Sequence, residues 1–247
     1  MAIVFITGGT DGLGRAAAQS LLDDGHEVVL HARSARRAAI VEILGERCSG
    51  IVIGDLRSAA ETRSIAEQVN AIGRMDAVIH NAGVYTERSR GSTPEGHATT
   101  LAVNALAPYM LTALIERPRR LVYLSSGLHR GGEGSLSDLD WKKRPWDPAR
   151  AYAESKLHVV ALALAIARRR PEVLSNAVDP GWARTKMGGP GAPVDLDTGQ
   201  RTQSWLSAMS RLPWSAAATG INFDRKCRPV KPAIRNSRTG SSPNWAS

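Results

Sequence analysis

Cysteine is nearly absent from this sequence. Cys48 and Cys227 are the only two in 247 residues, and they lie far apart, with no metal-ligand spacing. A disulfide-stapled fold and a cysteine metal centre are thereby excluded, and a reduced, cytoplasmic protein without a metal is expected. Aromatic residues are also few, 5% of the chain, and include only two Phe beside six Trp. No apolar run reaches the roughly 18 residues that a membrane span requires. The longest, Val159 to Ala167, is flanked by polar residues and reads as a buried helix. No secretory segment is read either, because Met1-Ala2-Ile3 leads directly into a glycine-rich turn.

Acidic residues are outnumbered, giving a formal charge of +9. The excess is concentrated at the end. Residues 221–247 contribute +5 through Arg225, Lys226, Arg228, Lys231, Arg235 and Arg238 against Asp224, which leaves +4 for residues 1–220. A solvated basic extension, not a nucleic-acid surface, is the reading that follows. Residues 225–247 show no amphipathic period and are rich in Pro, Ser, Arg and Asn, so a poorly ordered tail is expected after a domain covering 1–224.

What is present is a regular alternation. An apolar run at residues 2–7 meets Gly8-Gly9-Thr10-Asp11-Gly12-Leu13-Gly14, then a helix from Arg15 to Leu22, then a strand from Glu27 to His31. Helix to about Leu44, strand 51–53, helix 58–72, strand 76–80, helix 95–116, strand 121–124, helix from about 150 to 170, strand 173–178 and helix 198–210 continue the pattern. Residues 220–223 are expected to form a last short strand. Such alternation predicts an α/β fold, a parallel sheet covered by helices on both faces. Ligands of such sheets bind beyond the carboxyl ends of the strands. The unusual residues fall there: the glycine turn, Arg33, Asp55, Asn81-Ala82-Gly83, Ser126 and Pro180-Gly181.

Each has its chemistry. Glycines in Thr7-Gly8-x3-Gly12-x-Gly14 let the backbone approach a pyrophosphate, with the helix N-terminus behind it; Thr10 and Leu13 lie in the same turn. Arg33 stands where a carboxylate would hold the ribose hydroxyls of NAD(H), and a guanidinium suits a 2′-phosphate instead. NADP(H) is therefore expected over NAD(H). Asp55 can accept from an adenine amino group with Leu56 against the ring, or it can cap the next helix. Tyr152 and Lys156 are one helical turn apart on one face, where an ammonium would lower the phenol pKa. The Gly-, Pro- and Trp-rich connection 127–149 beside this pair is where substrate choice is expected. Trp141, Trp146, Trp182 and Trp205 are read as packing residues, with some available to line an apolar pocket.

In order and spacing, Thr7-Gly8-x3-Gly12-x-Gly14, Asn81-Ala82-Gly83, Asn104, Ser126, Tyr152-x3-Lys156 and Pro180-Gly181-x3-Thr185 resemble the short-chain dehydrogenase/reductase family. Ser125-Ser126-Gly127-Leu128-His129 and Leu139-Asp140-Trp141 point to its retinol-dehydrogenase-like and carbonyl-reductase-like branch. The resemblance implies a single-domain, Rossmann-type, doubly wound sheet and interconversion of a carbonyl with an alcohol. Tyr152 would be the general acid/base, Lys156 would hold the nicotinamide ribose, and Ser126 would bond the carbonyl oxygen, with Ser125 its structural neighbour. Asn104 would hold a relay water, or be a helix-interior residue satisfied by backbone, and Thr185 would bond the carboxamide. A fairly hydrophobic small-molecule substrate is expected, and a homodimer through the helices at 95–116 and 150–170 is one assembly known in the family. A non-catalytic dinucleotide sensor would need the glycine turn but not Tyr152, Lys156, Ser126 and Asn104 together. An extended nucleotide-sugar epimerase would need a longer C-terminal domain.

Overall fold

Val4 and Ile6 are buried on one side of their strand and Phe5 on the other, so the first strand already feeds two cores. The computed structural model describes residues 1–39, 46–85 and 89–209. The strands are β1 (Ile3–Ile6), β2 (Glu27–Ala32), β3 (Gly50–Ile53), β4 (Ala77–His80), β5 (Arg120–Leu124) and β6 (Leu174–Val178). They form one parallel sheet in the order β3-β2-β1-β4-β5-β6. The direction of winding reverses between β1 and β4, the switch point at which a ligand crevice opens.

Helices α1 (Gly12–Asp23) and α6 (Leu196–Ala208) cover one face, burying Ala17, Leu21 and Leu206 against Val4, Ile6, Val28 and Leu30. The other face is covered by α3 (Ala59–Ile72), α4 (Thr99–Leu114) and α5 (Pro148–Arg169), which bury Ile65, Val69, Leu111, Val159 and Ala163 against Phe5, Val29 and Val52. Helix α4 is built of three segments, Thr99–Leu101, a π-helical Ala102–Leu106 and Ala107–Leu114. A short α2 (Ala35–Ala39) follows β2. Each fully buried Leu, Ile or Phe contributes about 1.5–3 kcal/mol. Helix α4 begins later than the predicted position 95, because Thr93 and Gly96 form a turn in which Gly96 adopts φ +85°. The helical stretch expected at 40–44, the strand expected at 220–223 and the basic tail 225–247 lie outside the described residues.

One polar group lies deep in this core. His80 stacks on Tyr123 at 4.7 Å and meets Thr112 Oγ1 at 3.2 Å, while Thr112 also hydrogen-bonds the Tyr123 hydroxyl at 2.8 Å. Burial pushes the His80 imidazole down to about 3. Between that value and the usual 6.5 the unfolded chain binds the proton and the folded one does not. Stability conferred by neutral His80 is therefore complete above about pH 6.5 and is lost by about 1.4 kcal/mol per unit as pH falls. Urea titrations at pH 7 and pH 5 should show this loss reduced in His80→Gln; equal losses in both proteins would refute the assignment.

Candidate functional site

The glycine turn is held in place by side chains from neighbouring strands. Thr7, buried at the end of β1, accepts the Ala82 N–H on Oγ1 at 3.0 Å. Asn81 Nδ2 donates to the carbonyls of Thr7 at 3.0 Å and Gly8 at 3.3 Å. A Cβ on Gly14 would stand 2.4 Å from both Asn81 Nδ2 and the Gly8 carbonyl oxygen, so no larger residue fits without displacing backbone. Gly8 and Gly12 adopt φ +67° and +51°. Asp11 caps α1 by accepting from Gly12 N, and it pairs with Lys186 from the segment after β6.

These residues open into a cleft of about 870 Å³ at the carboxyl ends of the strands. Gly8, Thr10, Gly12 and Leu13 border it from the turn, and Asp55, Leu56 and Arg33 border it from the β2 and β3 ends. Ala82, Gly83, Ser126, Tyr152, Lys156, Pro180, Gly181 and Thr185 complete the sequence-predicted set in this cleft, with Asn81 at its floor. Thr7, Gly14 and Asn104 lie behind the wall, where they shape the cleft instead of facing it. The cradle fits an extended dinucleotide: glycines without side chains at the switch point, basic side chains at one end and a hydroxyl–phenol–ammonium group at the other.

At the basic end, Arg33 is exposed and Arg37 half-buried, and neither is in an ion pair among the described residues. Asp55 is not the cap of α3, since Ser58 occupies that place and accepts from Glu61 N. The Asp55 carboxylate instead accepts from Arg57 Nε at 2.9 Å and Nη2 at 2.6 Å. Burial works to raise its pKa, but these hydrogen bonds and the fields of Arg57 and Arg33 outweigh it and hold the group below the ordinary value.

At the other end, Lys156 is buried and donates from Nζ to the Leu124 carbonyl at 2.7 Å. Desolvation lowers its pKa to about 8. Ser125 is buried and donates to the Lys156 carbonyl at 3.1 Å, and it borders the cleft together with its neighbour Ser126. Burial pushes the Tyr152 phenol up to about 12, a rise that Ser126 opposes and the Asp179 carboxylate reinforces. That is the reverse of the direction expected from the Lys156 pairing. In this structure loss of water around the phenol outweighs an ammonium that sits 5.6 Å from the ring centre and is turned to Leu124.

Asn104 lies in the π-helical segment, fully buried. Its Oδ1 accepts the Val84 N–H at 2.8 Å, and Nδ2 donates to the Val84 carbonyl at 2.9 Å and to Ser155 Oγ at 3.0 Å. Both amide protons are thus used, one against the backbone of the segment after β4. A Cβ on Gly83 would lie 3.4 Å from Lys156 Nζ and 3.5 Å from Asn104 Oδ1, so both groups face the same small space. Thr185 accepts from Gly188 N at 3.0 Å and stands over Gly12.

The connection 127–149, where substrate choice is expected, reaches the cleft only at its start. Only Gly127 and Leu128 of that stretch border the cleft. Trp141 and Trp146 pack edge to face at 5.6 Å beside α4 and α5, away from it. The cleft's tryptophan is Trp182, which is exposed, and Trp205 is not among the lining residues. Sequence reasoning passed over Tyr85, which meets the Tyr152 ring edge-on at 5.4 Å, and His31; the only signals were the place of His31 near the end of β2 and that of Tyr85 in the segment after β4.

The family profile described as short chain dehydrogenase matches residues 2–121. A short-chain dehydrogenase of Penicillium rubens is 40% identical over 226 residues, which cover 90% of this chain and 86% of the relative. The chain belongs to the short-chain dehydrogenase/reductase family. Retinol dehydrogenase 13 of Homo sapiens, 32% identical over 75% of this chain and 60% of its own length, marks the branch of this dehydrogenase as retinol-dehydrogenase-like. A short chain dehydrogenase from Burkholderia cenocepacia, crystallised with NADP, shares the fold at a TM-score of 0.70 and 22% identity, over 88% of this chain and 94% of that one. Membership makes the protein an oxidoreductase of the dehydrogenase/reductase type and accounts for a dinucleotide cradle joined to a tyrosine–lysine pair. Among the described residues no helix is long and apolar enough to cross a membrane.

Proposed function

We propose that this chain is an NADP(H)-dependent oxidoreductase that interconverts a carbonyl and an alcohol. One observation carries the reading: the glycine turn, Arg33 and the Ser126–Tyr152–Lys156 group open into a single continuous cleft. A bound nicotinamide would supply the hydride to the carbonyl carbon or take it from the alcohol. Tyr152 gives its phenolic proton to the carbonyl oxygen in reduction and takes it back in oxidation. Burial holds its pKa near 12, so the phenol carries its proton at neutral pH. Ser126 accepts the Leu128 N–H at 3.3 Å and keeps its own proton for the carbonyl oxygen. Lys156 would hold the ribose hydroxyls, and with its pKa near 8 it could pass a proton toward Tyr152. Asn104 sets the Gly83–Val84 wall beside Lys156 and leaves a small space there for a relay water.

Asp55 and Leu56 would receive the adenine, and Thr185 the carboxamide. Val84, Tyr85, Leu128, Trp182 and Met187 border the cleft and support a fairly hydrophobic substrate. Exposed Tyr109 and Leu114 on α4 and Leu164 on α5 support a homodimer through those helices.

NADPH oxidation measured across a panel of ketones and aldehydes tests the activity; consumption with none of them, while NADPH binds, would favour the dinucleotide sensor. The cofactor choice has its own test. Arg33→Asp should weaken NADPH by about 10–100-fold and bring NADH level with it, since a charge-assisted contact to a phosphate is replaced by repulsion. An unchanged NADPH/NADH ratio of kcat/KM would remove Arg33 from the specificity site.

A further inference from the structure

His31 is the penultimate residue of β2 and stands outside every motif that marks the family. Its ring is 3% exposed, yet it borders the cleft between the glycine turn and Asp55. Nδ1 accepts the Gly8 N–H at 3.0 Å, which leaves the ring proton on Nε2, and Nε2 donates to the Gly54 carbonyl at 2.8 Å. The His31 carbonyl accepts the Gly9 N–H at 3.2 Å. One side chain therefore bridges the turn after β1 to the end of β3, two segments that do not pair with each other in the sheet.

We propose that His31 is the positioning residue of the nucleotide site, a neutral imidazole strut that fixes the distance between the Gly8 turn and Gly54–Leu56. The proposal rests on the dinucleotide reading of the cleft, in which the turn takes the pyrophosphate and the β3 end takes the adenine. Gly8 is clamped from both sides. On one side Ala82 Cα would stand 3.1 Å from any Cβ, and on the other the N–H is consumed by the imidazole. Removing the acceptor leaves a half-buried N–H unsatisfied and frees the turn to relax. Protonating Nδ1 sets one N–H against another and has the same result.

The charged groups around this end of the cleft are Asp55, Arg33, Arg37 and Arg57, with Asp11 on the turn. Burial lowers the pKa of His31, and the Asp55 field works against it. The strut is thus intact at neutral pH and fails in acid.

NADPH binding, followed by its fluorescence from pH 8 to pH 5, tests this in the full chain with His31→Phe and His31→Asn. Phe should weaken NADPH at pH 7.5 by about 10–100-fold, the effect of losing one buried and one half-buried hydrogen bond. Asn places an oxygen where Nδ1 stands, so it should recover about tenfold of that loss. Wild-type affinity should fall more steeply with acid than that of His31→Asn; the slope common to both belongs to the 2′-phosphate. Unchanged affinity in His31→Phe overturns the proposal, as do equal losses in both variants with parallel pH curves. Should His31→Phe not fold, the two remaining pH curves decide. Wild-type protein that binds neither NADPH nor NADH would sink the dinucleotide reading and the strut together. That outcome differs from tight wild-type binding that His31→Phe leaves intact.

Discussion

Tyr152→Phe is expected to slow carbonyl reduction by about 10²–10⁴-fold, the usual worth of a positioned general acid. NADPH binding should be unaffected. The Phe ring can keep the edge-on contact that Tyr152 makes with Tyr85 at 5.4 Å, so the cleft retains its shape and loses only a proton donor. Lys156 would remain anchored to Leu124 through its own hydrogen bond. Single-turnover rates with the best carbonyl of the panel, set beside an NADPH titration of the same protein, separate the two effects. A full rate in Tyr152→Phe would show that another group delivers the proton.

Arg144→Ala should destabilise the fold by about 3 kcal/mol, because it strips a buried carboxylate of its partner. Glu154 lies in the Tyr152–Lys156 turn of α5 with its side chain 5% exposed, and Arg144 pairs with it at 2.9 Å through Nη1 and again through Nη2. The same guanidinium lies 3.6 Å over the Trp141 ring, and Trp141 adopts φ +54°, a conformation uncommon for a residue with a Cβ. This clasp binds the connection after β5 to α5. Arg144 has further acidic neighbours in Glu133 and Asp138, whereas Glu154 depends on Arg144. Glu154→Ala should therefore cost less than Arg144→Ala, and the double variant less than the sum. Urea unfolding of the three proteins measures this, and an Arg144→Ala protein within about 0.5 kcal/mol of wild type would refute it.

The clasp also explains why only the first two residues of the connection 127–149, where substrate choice is expected, border the cleft. Its Trp, Gly and Pro content looks the same whether the segment borders a ligand or packs on a helix. Arg144 and Glu154 are ten positions apart in different elements, and nothing local links them. His31 was hidden for a similar reason. Within Glu-Val-Val-Leu-His it is the last residue of an apolar strand, and its function as an acceptor appears only when Gly8 and Gly54 arrive from two other strands.

The sequence by itself determined the alternation of strands and helices, the glycine turn at the first crossover, and the placement of Tyr152 and Lys156 on one face of one helix. These follow from chain geometry, the period of side chains along a segment and the conformations that glycine permits, so they can be read one segment at a time. Only the tertiary structure decided which residues share the cleft, and that Trp182 borders it while Trp141 and Trp146 do not. It also reversed the direction of the Tyr152 shift. Desolvation and convergence are properties of the packed whole: the water removed from a phenol, or the acceptor presented to a glycine N–H, comes from segments far away along the chain.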